Sequence, residues 1–169
     1  MSKRLELVLN TLKSRVEQNQ TIVQLLNGEC AEVSFYWEEP ASVKEIEEVN
    51  QKIGWSIPEE YKSFLLMHNG ASLFINDGGT MRLYPLNEIV DYYNESQENN
   101  YGHPAHWYLI GVYHGVAEYL YIDSERVKQG RKDYLIFESI GDFTRLKCDF
   151  EEWLDRLIVC QGEQFWLWE

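Results

Sequence analysis

Ser42-Val43-Lys44-Glu45-Ile46-Glu47-Glu48-Val49, running on to Ile53-Gly54, and then Ile57-Pro58-Glu59-Glu60-Tyr61-Lys62-Ser63-Phe64-Leu65 up to Asn69-Gly70, is the stretch that decides the architecture. It reads as two short helices in tandem. Ser42 and Glu45 stand in the S-x-x-E spacing of a capping box, in which each side chain satisfies an orphan amide of the other's backbone. Val43, Ile46, Val49 and Ile53 supply one apolar face. Gly54 sits where a left-handed cap ends the first helix, and Pro58 opens the second, because a first-turn residue loses nothing by lacking an N–H. Tyr61, Phe64, Leu65 and His68 share a face, and Asn69-Gly70 tolerate the positive φ that stops the helix.

Toward the N-terminus, Leu5, Leu9, Leu12, Val16, Val23 and Leu26 recur at spacings of four and three, with Asn19 in the one gap. This spacing predicts a single long amphipathic helix, ended by Gly28 and packed on the protein's own sheet. Val33, Phe35 and Trp37 alternate with Ser34 and Tyr36 as a strand, which Pro40 stops. Beyond Gly70, the runs 71–75 and 80–84 flank Asn76-Asp77-Gly78-Gly79, a hairpin signal. Asn87 is read as the cap of a short helix reaching about Asn94, and 95–103 as an exposed polar loop. The aromatic-rich runs 106–113 and 116–122 form a second hairpin across His114-Gly115, then 123–130 is a polar connection and 134–137 a further strand. Asp149-Phe150-Glu151-Glu152 opens a terminal helix through Trp153, Leu154, Leu157 and Ile158; the run 164–168 closes as a last strand or lies apolar-side-down. Early helices, central antiparallel strands and a final helix describe an α+β fold, with an antiparallel sheet of about five to six strands against N-terminal helices and a C-terminal helix. The 169 residues are expected to form one domain, with 1–39 as an elaboration, 40–160 as core and 161–169 as a tail.

Charge limits the partners. Lys and Arg number 15 against 28 Asp and Glu, a formal net charge of -13 that repels phosphate backbones and anionic membranes. Residues 29–60 alone carry nine glutamates against Lys44 and Lys52. Met1-Ser2-Lys3-Arg4 leads into a stretch broken by Glu6, Asn10 and Lys13, which is not read as a signal peptide, and no apolar run approaches the roughly 20 residues of a membrane span. Cys30, Cys148 and Cys160 are odd in number, widely spaced and without a C-x-x-C, so reduced thiols and a cytoplasmic setting are expected, each cysteine serving as a small buried hydrophobe.

Catalytic signatures fail one by one. No Walker loop or G-x-S-x-G elbow is present; Ser139-Ile140-Gly141 lacks the first glycine. His103, His106 and His114, with Glu118 and Asp123 downstream, are the one histidine cluster, but Pro104 separates the first two and nothing in the spacing makes them converge on a metal. No cofactor is expected. The 24 aromatics lack the interleaved cations of a single-strand groove, so packing and protein recognition account for them better than base stacking.

The segment from Ser42 to Gly70 resembles the SMI1/KNR4, or SUKH, superfamily: a helix ending in glycine, an apolar residue and Pro, an acidic pair, Tyr, Phe-Leu and Asn-Gly. Leu109-Ile110-Gly111 and Phe150-Glu151-Glu152-Trp153-Leu154 extend the likeness over roughly residues 40–160. The resemblance implies one α+β domain without catalytic residues. Most bacterial members are immunity proteins that neutralise cognate toxins, often nucleases, whereas fungal relatives are regulatory interaction scaffolds. The chain is therefore expected to be a monomer or weak dimer that binds a basic toxin directly, with no nucleic acid or membrane partner. The scaffold role is the alternative. An acidic inhibitor complements the positive surface a nuclease needs for phosphate, and Glu38, Glu39, Glu59, Glu60, Asp77 and Glu98 are the expected partner-binding residues.

Overall fold

The Ser42 hydroxyl accepts the Glu45 N–H at 3.2 Å while the Glu45 carboxylate accepts the Ser42 N–H at 2.7 Å, so both halves of the capping box form at the start of helix α2 (Val43–Ile53). Gly54, with φ 76°, ends α2, and Pro58 stands at the N-cap of α3 (Glu59–Leu65). The structure, a computed structural model, describes residues 2–99, 101–115 and 118–167.

Around this pair lie α1 (Lys3–Ser14), α4 (Leu86–Glu98), α5 (Ser124–Lys128) and α6 (Phe150–Val159). Eight strands form one antiparallel sheet in chain order: β1 (Gln20–Gln24), β2 (Cys30–Trp37), β3 (Ala71–Asn76), β4 (Gly79–Leu83), β5 (Trp107–His114), β6 (Glu118–Asp123), β7 (Leu135–Ser139) and β8 (Asp142–Arg145). Helices α1, α3 and α6 pack together on one face. Leu5 and Leu9 of α1, Tyr61 and Phe64 of α3, and Phe150, Trp153 and Leu157 of α6 are buried there against Leu120, Ile122, Leu135 and Phe137 of the sheet. Each contributes roughly 1.5–3 kcal/mol by leaving water. Gly70 joins α3 to β3 with φ 114°; a Cβ there would lie 2.9 Å from the Leu83 carbonyl oxygen.

Five local expectations are corrected by the structure. The N-terminal helix stops at Ser14 rather than at Gly28, because Gln18 (φ 50°) and Asn19 (φ 63°) turn the chain through the left-handed region. Thr21-Ile22-Val23, a β-branched run, then pairs with β2, and Leu26 of the supposed stripe is exposed. The strand count is eight rather than about five to six, since β1 and β8 were not expected. Helix α4 is capped at Pro85 rather than Asn87 and runs to Glu98, so 95–98 is helical and not loop. Asn69, expected with Gly70 to end α3 through a positive φ, does not take one; its side chain accepts the Leu86 N–H at 2.9 Å and supplies the cap Pro85 lacks. The connection after β6 contains α5, N-capped by Asp123. Residues Phe165–Leu167 form a 3-10 turn with Phe165 and Trp166 buried, the apolar-side-down alternative; Trp168, Val116 and Ala117 lie outside the described residues. No described helix is long and apolar enough to cross a membrane.

Candidate functional site

The antiparallel register sorts the side chains of β4–β8 onto two faces. Across one row Arg82 lies opposite Val112, Val112 opposite Tyr119, Tyr119 opposite Glu138 and Glu138 opposite Phe143. The next row holds Leu109, Tyr121, Ile136 and Arg145. This face is the reverse of the one that carries Leu120, Ile122, Leu135 and Phe137. Helix α4 and the segment that follows it run beside it and leave a cleft of about 310 Å³, lined by Tyr92, Glu95 and Ser96 from α4, Tyr101 and His103 from the connection, and Trp107, Tyr119, Tyr121 and Glu138 from the sheet.

The cleft is built of rings. His103 stands 5.2 Å from Tyr121 and 5.7 Å from Phe143, and Trp107 5.4 Å from Phe143, in edge-to-face arrangements that aromatic quadrupoles favour. At the floor the Tyr121 hydroxyl donates to Glu138 at 2.7 Å, with His103 Nε2 3.6 Å from the same carboxylate. Burial, reinforced by the Glu138 acceptor, pushes the Tyr121 phenol far above its ordinary value, so it remains a donor at any physiological pH. Near the rim the Tyr101 hydroxyl donates to Glu95 at 2.9 Å, and that bond raises its pKa.

The expected acidic residues are dispersed. Glu38 and Glu39 lie in the β2–α2 connection, Asp77 in the exposed β3–β4 turn beside a shallow depression of about 610 Å³, and Glu98 at the C-terminal end of α4. Glu59 and Glu60 start α3 next to Asp149 and Glu151 of the α6 N-terminus. Glu60 is engaged within the fold: Lys132 bridges it to Asp149, the latter at 2.9 Å, and these bonds raise the lysine pKa. The histidines go to different partners, His103 toward Glu138 and His106 to within 3.8 Å of buried Asp123, while His114 is exposed. Among the described residues no three metal-ligating side chains converge. Among the described residues the cysteines form no disulfide: Cys148 is buried as expected, but Cys30 is exposed and Cys160 half-buried, contrary to the buried reading.

His68, expected on the apolar face of α3, follows that helix and links it to Glu38. Its Nδ1 lies 3.2 Å from the Glu38 carbonyl oxygen, its ring 4.7 Å from Trp37, and its Nε2 meets the Lys13 ammonium. This set assigns the proton to Nδ1 and leaves Nε2 as an acceptor. Burial above all, aided by the Lys13 charge, lowers the His68 pKa. The unfolded chain therefore takes up this proton first, near pH 6.5, and stability that is complete above that pH is lost as pH falls through it. In urea titrations from pH 7.5 to 5.5, His68→Gln is expected to flatten this decline, whose slope for one proton is at most about 1.4 kcal/mol per pH unit.

The cleft residues Glu95, Tyr101, Trp107, Tyr119, Tyr121 and Glu138 escaped the sequence reading. In 106–113 and 118–122 both parities carry large apolar or aromatic side chains, so alternation alone does not say which faces the core. Glu138, a lone acid ending Leu135-Ile136-Phe137, is the signal that was available.

Relatives give the same frame. The model of the SMI1 / KNR4 family (SUKH-1) matches residues 40–156, from the start of the α2 segment into α6. The chain is 36% identical over 138 residues to the uncharacterized protein YnaB of Bacillus subtilis (strain 168), covering 80% of this chain and 88% of that one. It is 33% identical over 172 residues to the uncharacterized protein YobM of the same strain, covering 95% and 89%. With the α2–α3 unit, the antiparallel sheet and the terminal helix all in place, the chain belongs to the SMI1/KNR4 (SUKH-1) family.

Proposed function

We propose that this chain is a non-catalytic immunity protein that neutralises a cognate, basic toxin, such as a nuclease, by covering it directly in the cytoplasm. The observation that carries this reading is the ring-lined face of the sheet, opposite the helical layer, on a molecule of net charge -13. Rings of this type bury large area at little rotamer cost, and interface cores are enriched in them. The acidic residues Glu38, Glu39, Glu59, Asp77 and Glu98 act at longer range, steering a cationic partner toward the complex. Glu60 adds to this field while it holds Lys132.

Two measurements test it. Co-expression with a toxin encoded beside this chain restores growth, and failure of the purified pair to associate overturns the reading. Reversing Glu38, Glu39, Glu59, Asp77 and Glu98 to lysine, while sparing Glu60, is expected to slow association at least about 10-fold at low salt. The difference should fade at high ionic strength, with dissociation little changed. A salt-independent rate would remove these acids from the mechanism.

A further inference from the structure

The cleft beside α4 has a composition that selects its occupant. Its volume, about 310 Å³, suits a side chain or small molecule rather than a domain. Two carboxylates line it, Glu95 and Glu138, and none of its described lining residues is a lysine or arginine. The Glu138 side chain is only 14% exposed, and Tyr121 is its one hydrogen-bond donor among the described residues. An ionised carboxylate has about four acceptor sites, so most of its capacity is unused. The rings of Trp107, Tyr119, Tyr101 and Tyr92 line the same cleft.

From this we propose that the cleft takes one arginine side chain of the bound partner. The rings offer cation–π contact and stacking surface to a planar guanidinium, which sheds water more readily than an ammonium. Glu138 accepts its N–H groups at the floor, and Glu95 supplies a second negative charge near the mouth. An anion would meet two like charges with no lysine or arginine in the described lining to offset them. A neutral ring or an apolar group would stack equally well but leave the Glu138 carboxylate desolvated with only Tyr121 donating to it and His103 Nε2 3.6 Å away. Lysine satisfies the charge and not the plane, so it ranks second.

The proposal rests on reading this face as the partner-binding one, and its test needs no toxin. The wild-type chain is titrated with the blocked peptide acetyl-Gly-Arg-Gly-amide and with its lysine and citrulline counterparts, following the Trp107 indole resonance by NMR. Citrulline keeps the planar shape and loses the charge. The arginine peptide is expected to bind about 10-fold or more tightly than the citrulline peptide, with lysine between them. Glu138→Gln, in which Tyr121 keeps an acceptor, should bring arginine and citrulline to the same affinity. Should that variant not fold, Glu95→Gln at the exposed rim is expected to reduce the arginine preference by about 3-fold. Equal binding of arginine and citrulline by the wild type, or no perturbation of Trp107 by either, overturns the proposal. Null titrations alongside intact growth rescue dispose of the arginine site alone, whereas arginine selectivity without rescue disposes of the immunity reading alone.

Discussion

Trp153→Ala lowers the unfolding free energy by about 3–5 kcal/mol, the range for deleting a large ring from a core. Trp153 has 0% exposure and sits where three elements meet: its ring lies 5.8 Å from Phe150 at the start of its own helix and 6.0 Å from Trp166 of the C-terminal 3-10 turn. Trp166 in turn lies 5.1 Å from Phe137 of β7. Removing the indole therefore opens a void between α6, the tail and the sheet. Thermal midpoint should fall by roughly 6–20 °C for a chain of this size. Trp153→Phe is expected to cost far less. It keeps most of the ring contacts and deletes an indole N–H that is buried without an acceptor among the described residues. Urea titrations with the same m-value would place both effects in the folded core, and an alanine variant within about 1 kcal/mol of wild type would contradict this account of the packing.

Arg145→Met destabilises by about 3 kcal/mol, through the charge it abandons rather than the contacts it loses. Asp123 is 4% exposed, N-caps α5 through the Arg126 N–H at 3.1 Å and receives Arg145 Nη2 at 3.0 Å. Arg126 Nε is farther, at 3.9 Å, and the Nη1 of the same guanidinium donates to Asp133, so Arg126 compensates only in part. Asp123→Asn in the Arg145→Met background removes the stranded charge and retains an N-cap acceptor, so it should recover more than half of the loss. A double-mutant cycle measures this coupling, expected at 1–3 kcal/mol by order of magnitude; strictly additive single effects would show that the pair is not energetically linked.

Signals that act within a few residues were legible in the chain. Ser42 with Glu45, Gly54, Pro58, the Asn76-Asp77-Gly78-Gly79 turn and the Asp149 cap all operate through hydrogen bonds or φ preferences confined to one turn, and all stand where the residues put them. The N-terminal stripe misled because Val23, a strand residue, falls by coincidence on the helical period of Leu5, Leu9 and Leu12. Two left-handed residues, Gln18 and Asn19, break the chain between them, and neither is a glycine. Asn87 misled because the helix already starts at Leu86, whose free N–H is served by Asn69, 17 positions before Leu86, and only the fold brings that side chain near.

The family, the α+β class and the net acidity were thus settled by the sequence alone, since each rests on local pattern or on composition. Which side of the sheet would be buried, and therefore that Trp107, Tyr119 and Tyr121 line a cleft with Glu138 beneath them, was decided only in three dimensions. On β5 and β6 both faces carry bulky apolar rings, so neither parity is marked as interior until α1, α3 and α6 cover one of them. Side-chain hydrophobicity is the same on either side; the helices choose.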